Sequence, residues 1–168
     1  MSNTTQINDT LIQKMLAYYS GDPARIQHYT KVYTYASMIG RAEKLSDELQ
    51  HILETAAILH DIGIKIAEEK YHSSAGPLQE KEGPAAARQM LTECASYSDA
   101  VIDRVCYLIG HHHTYSDIDG LDYQILVEAD FLVNLYEDHA DKQAIQTAID
   151  RIFKTKAGTE MAHVMFDV

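Results

Sequence analysis

Cysteine is scarce in this chain, with two residues in 168, Cys94 and Cys106. They are too far apart for a Cys-x-x-Cys motif and fall in helix-like segments, so they read as buried thiols of a protein kept in a reducing cytoplasm. Cations are also few: 14 Lys and Arg face 25 Asp and Glu, a net charge of -11. Such a surface repels nucleic acid as a polymeric partner, although a local cationic centre could still attract a small phosphorylated anion. No apolar run approaches the roughly 20 residues that cross a bilayer, and the start, Met1 to Gln6, is polar, so the expectation is a protein without membrane attachment. Prolines number three, Pro23, Pro77 and Pro84. Alternating strand patterns, internal repeats and low-complexity segments are missing as well.

What remains is helical periodicity, and it predicts an all-α fold of one domain over 1–168. The core spans about 22–137, with flanking helices at both ends. A chain of this length can bury roughly 70% of its unfolded surface around a single core. Leu11, Ile12, Met15 and Leu16 mark a first helix stopped by Ser20-Gly21. Asp22-Pro23 then caps and opens a second that runs to about Gly40, with His28 on the stripe of Val32, Tyr35 and Ile39. Ser46 caps a third helix whose apolar residues are Leu49, Ile52, Leu53, Ala56 and Ala57. His60 falls in phase with Leu53 and Ala56 and faces the core.

Gly63 is expected to end that helix in a left-handed turn. Asp61 would then lie in the last turn, where the helix dipole disfavours a carboxylate unless a cation compensates. The polar stretch from about Ala67 to Lys81 reads as a loop, either covering a substrate or simply connecting. A helix from Gln79 or Pro84 to Leu91 follows, then one from Ser98 to Ile109 whose stripe His112 continues. After the turn Ser116–Gly120 comes a helix carrying Ile125, Leu126, Ala129, Leu132, Val133 and Tyr136. Asp130 lies on its apolar face. A final helix through Ile145, Ala148, Ile149 and Phe153 packs on the outside of the bundle.

A carboxylate turned into the core costs several kcal/mol unless paired or coordinated. His28, His60, Asp61 and Asp130 together form a nitrogen and oxygen set suited to Mn, Fe, Co, Ni or Zn, while imidazole argues against calcium. Singly, each has a plainer reading as a hydrogen-bonded core residue; together they point to a divalent metal.

The order His28, His60-Asp61, Asp130 resembles the HD-domain superfamily of metal-dependent phosphohydrolases, and the likeness spans most of the chain. The resemblance implies a helical bundle in which these four residues hold a metal. It also implies a second metal in some relatives, bridged by Asp61 and held here through Glu82 and His111 or His112. Histidine is more usual where Glu82 stands, and Glu82 could equally be a carboxylate at a helix start. His113 is expected to face solvent or to support the ligands, and His51, His72, His139 and His163 to be surface or structural residues.

The reaction the resemblance implies is cleavage of a phosphoester of a nucleotide or similar small phosphorylated metabolite by metal-activated water. Asp61 would orient the water and Lys65, one turn on, would approach the phosphate. Where the branch acting on cyclic dinucleotides carries Gly-Tyr-Pro, this chain has Gly120-Leu121-Asp122-Tyr123, which disfavours that substrate. Two alternatives stay open: a diiron oxygenase of the same fold, and a metal-binding signalling domain without catalysis. Tyrosines on several faces are compatible with a homodimer.

Overall fold

Side-chain caps set most of the helix starts. Asp22 accepts the Arg25 N–H at 3.1 Å, Ser46 that of Leu49, Ser98 that of Val101, Asp141 that of Ala144 and Thr155 that of Gly158. Each satisfies a donor that the first turn leaves free, for about 1 kcal/mol. In the computed structural model, which describes residues 3–168, these caps divide the chain into nine helices among the described residues. They are α1 Asn3–Tyr18, α2 Pro23–Ala42, α3 Asp47–Leu59, α4 Gly63–Tyr71, α5 Gly76–Cys94, α6 Asp99–Ile109, α7 Leu121–Glu137, α8 Lys142–Ile152 and α9 Lys156–Phe166. No strand occurs among them, and no helix is long and apolar enough to cross a membrane. Met1 and Ser2 of the polar N-terminal stretch lie outside the described residues.

Two helices form the centre. Every residue of the stretches 52–60 and 122–130 is buried, the mark of helices surrounded on all sides rather than amphipathic ones. α2 packs against both α3 and α7, and α3 also meets α7, α6 and α1. The helices that carry His28 and Asp130, and the one that His60 follows, are therefore mutual neighbours. α8 and α9 lean on α7, and α4 lies along α5.

Three expectations are corrected. Gly63 is not left-handed; among the described glycines only Gly21 has a positive φ, at 87°. Gly63 opens α4 instead, and what requires glycine there is proximity. A Cβ would stand 2.6 Å from the Gln79 carbonyl oxygen and 2.7 Å from the Gly83 nitrogen, both backbone atoms of α5 that cannot rotate away. Gly63→Ala is thus expected to cost about 1–3 kcal/mol, the range for overpacking a rigid interior, read as a lower urea midpoint.

The supposed loop 67–81 is mostly helix. Only 72–75 connects α4 to α5, too short for a covering flap. Pro77 sits in the first turn of α5, where its missing N–H costs nothing. His72 takes the left-handed conformation that ends α4, at φ 55°. Finally, α8 is not the last helix. Beyond Phe153 the short α9 is anchored at its start by Glu128, whose buried carboxylate accepts from the backbone N–H of Lys154 and Thr155 and from the Thr155 hydroxyl.

Candidate metal centre

α3 ends at Leu59, and His60, Asp61 and Ile62 form the turn into α4. Two tyrosines from the end of α1 hold that turn by its backbone: the Tyr19 hydroxyl donates to the Asp61 carbonyl at 2.7 Å and that of Tyr18 to the Ile62 carbonyl at 3.1 Å. Its side chains are thereby aimed between α2 and α7.

The imidazoles are oriented in one sense. His60 Nδ1 lies 2.8 Å from the Ala57 carbonyl, and His112 Nδ1 lies 2.8 Å from the Ile109 carbonyl. A carbonyl only accepts, so both Nδ1 atoms carry the proton and both Nε2 atoms turn a lone pair inward. His28 Nδ1 meets the Glu137 carboxylate at 2.8 Å, with the same result. Three nitrogen lone pairs thus point at two carboxylates.

Distances inside the cluster are short. His28 Nε2 lies 3.2 Å from His60 Nε2, 3.2 Å from Asp130 Oδ1 and 3.3 Å from Asp61 Oδ2. His60 Nε2 is 3.4 Å from Asp61 Oδ2 and 3.5 Å from Asp130 Oδ1. Around an ion holding N and O ligands at about 2.0–2.2 Å, neighbouring donors stand roughly 3.0–3.5 Å apart, and these separations match such edges. Two lone pairs facing each other repel unless a cation lies between them. His112 Nε2 and Asp130 Oδ1, both buried, have no hydrogen-bond partner among the described residues. Donor type, spacing and orphaned atoms all fit a divalent metal.

The cluster's electrostatics carry the same demand for positive charge. Burial opposes the imidazolium of His60, yet Asp61 and Asp130 hold its pKa well above the ordinary value, and His28 is raised against its own burial by the same carboxylates. Burial likewise opposes the carboxylate of Asp61, but His60, His112 and His28 hold it well below the usual range; His28 and His60 do so for Asp130. The two carboxylates draw positive charge to the cluster, the charge a bound cation would supply.

The donors form two groups, His28, His60 and Asp130 in one and Asp61, His112 and His113 in the other, each gathered within 4.8 Å. Asp61 joins them. Its Oδ2 faces His28 and His60, while its Oδ1 faces His112 Nε2 at 3.6 Å.

The structure does not bring three of the candidate residues to this centre. Glu82 is held instead by Lys70 at 2.6 Å and the Tyr71 hydroxyl at 2.7 Å. His111 turns back to the Tyr107 carbonyl and stacks on the Tyr107 ring. Lys65 donates to the Tyr18 carbonyl at 3.3 Å and lines a separate cavity of about 600 Å³ between α4 and α5.

Conversely, His113, expected at the periphery, is brought to Asp61. Burial and its neighbour His112 push its pKa down to about 4, so it is a neutral donor. Gln79 holds its Nε2 at 3.1 Å, and Glu80 accepts its backbone N–H. Gly76 leaves room for its ring, which a Cβ would approach to 2.9 Å.

Glu137 also went unread, although it lies seven residues after Asp130 on the same helix face. It orients His28 and is itself fixed by Lys31 at 2.7 Å. Outer partners of this kind are worth about 10–100-fold in metal affinity. Glu137→Ala is expected to weaken metal binding by that factor in a competitive chelator titration, with helix content unchanged.

The family described as HD domain matches residues 25–154, a span that takes in the ligands on α2, the α3–α4 turn, the histidine turn after α6, and α7. No curated protein and no solved structure matches the chain. With most of its length covered, and with the His60-Asp61 pair at the junction of two groups of side chains that could hold a metal, the chain belongs to the HD-domain family.

Proposed function

We propose that the protein is a metal-dependent phosphohydrolase that cleaves a phosphoester of a nucleotide or a similar small phosphorylated metabolite. The observation that carries this reading is the convergence of three inward Nε2 lone pairs on Asp61 and Asp130. His28, His60, Asp61 and Asp130 would hold one divalent transition ion, and Asp61, His112 and His113 a second. Such an ion, when bound, neutralises charge on a phosphoryl oxygen and lowers the pKa of water.

The chain's own residues do the rest. Glu137, Ala57 and Ile109 fix the imidazole tautomers. Asp61 carries an acceptor oxygen toward each group and can orient a water between them. Apolar packing of α3 and α7 behind the ligands keeps bulk water from their rear. Lys65, which donates to the Tyr18 carbonyl, is given no role in this reading.

Phosphate release tests the proposal. Protein purified without added metal is analysed for its elements, then supplied with Mn²⁺, Co²⁺ or Ni²⁺ and offered nucleoside monophosphates and generic phosphoesters. Metal-dependent release is expected. No turnover across that panel would favour a non-catalytic metal-binding domain.

The two-sided placement of Asp61 supports a second reading, a diiron oxygenase. Anaerobic iron loading followed by O₂ separates the two: a product carrying oxygen from O₂, with no phosphate freed, would displace the hydrolase. The free, unbridged thiols of Cys94 and Cys106 support a reducing cytoplasm as its setting.

A further inference from the structure

A groove of about 620 Å³ runs between α7 and α8, walled by Phe131, Leu135, Ala144 and Ala148, with Tyr115 and Arg151 among its lining residues. Along the chain it borders the metal centre. Phe131 follows Asp130 in α7, Tyr115 stands two residues after His113, and their rings meet edge to face at 5.2 Å. The wall of the groove is therefore built from the chain neighbours of two ligand residues.

Arg151 is unusual within this protein. Of the five arginines, Arg25 pairs with Glu68, Arg41 with Ser37, Arg88 with Asp103 and Arg104 with Asp119 and Asp122. Arg151 has no hydrogen bond or ion pair among the described residues, in a chain where acids far outnumber bases. The carboxylate that shares its groove, Asp141, is occupied in capping α8 through the Ala144 N–H. A free guanidinium fork beside an apolar wall and two aromatic rings suits a flat ring system with acceptors on its edge. The rings and alkyl groups contact its faces, and the fork reaches two acceptors at once.

We propose that this groove seats a planar heteroaromatic body, the part of the substrate that bears the scissile phosphate, and that Arg151 is a specificity-determining residue reading its acceptor edge. The link to a scissile phosphate rests on the phosphohydrolase reading; the seat for the ring does not.

Guanosine, which offers two edge acceptors and no phosphate, tests the seat without metal or turnover. Calorimetric titration of the chelator-treated protein is expected to show binding that Arg151→Ala weakens about tenfold or more. Ala148→Leu, which fills the wall, should weaken it comparably, while the remote Lys14→Ala should not. With metal restored, the KM for guanosine monophosphate should lie well below that for ribose 5-phosphate, and Arg151→Ala should narrow the gap. No guanosine binding, or equal binding in wild type, Arg151→Ala and Ala148→Leu, overturns the groove even if phosphate is released. Arg151-dependent guanosine binding without hydrolysis of any phosphoester sustains the groove and sinks the phosphohydrolase.

Discussion

Asp61→Ala is expected to lower phosphate release by about a thousandfold or more and to reduce bound metal in elemental analysis. The size follows from the position of the carboxylate, one oxygen toward His28 and His60 and the other toward His112. Its loss opens both donor groups at once, whereas removal of an outer partner such as Glu137 only loosens one histidine. Helicity should survive. Asp61 lies in a turn, that turn is held through its backbone by Tyr19 and Tyr18, and the side chain bonds to nothing outside the cluster. Circular dichroism beside the metal analysis therefore separates lost chemistry from lost fold. Wild-type turnover in this variant would end the mechanism proposed above.

The largest expected effect on stability lies behind the site. Glu128→Ala should lower unfolding free energy by about 3–5 kcal/mol, read from urea denaturation. Glu128 is fully buried. One carboxylate oxygen accepts from Gln124 at 2.7 Å and from the N–H groups of Lys154 and Thr155 at 2.6 and 2.9 Å, and the other takes the Thr155 hydroxyl. Alanine strands those donors where little water reaches, at about 1–3 kcal/mol for each buried group left unsatisfied. Space is tight as well: a Cβ on Gly158 would stand 2.0 Å from Glu128 Oε2, so α9 is fitted to this carboxylate. Against a total stability of about 5–15 kcal/mol, the loss is a large fraction. A change below about 1 kcal/mol would show that water replaces the carboxylate and that α9 contributes little.

Helical phase alone brought much of the centre into view. His28, His60 and Asp130 sit on apolar stripes whose period points each side chain inward, and the structure gathers those three side chains. Phase fails where a helix stops. The register of Val105 and Leu108 carries His112 inward, where it is buried, but the histidine run follows the end of α6, so that register cannot say how the turn disposes His111 and His113. That choice is made by Tyr107, Gln79 and Glu80, the last two from a distant part of the chain. Glu82 was equally beyond reach, since its partners Lys70 and Tyr71 belong to α4 and only the packing of α4 on α5 brings them together. Gly63 invited a conformational explanation because glycine often ends helices; its real constraint, the nearness of the α5 backbone, leaves no local trace. α9 is anchored by a glutamate on α7, a long-range contact that leaves no local trace in the sequence.

His28, the His60-Asp61 pair, His112 and Asp130 come from four widely separated parts of the chain, and nothing covalent ties those parts together; Cys94 and Cys106 remain apart. An ion held by all of them would act as a clasp on the unfolded ensemble, removing loop-closure entropy as a disulfide does, but reversibly and with a strength set by free metal concentration. The same contacts that position a phosphate would then govern how long the bundle survives before it opens, and scarcity of metal would shorten the protein's lifetime as well as stop its turnover.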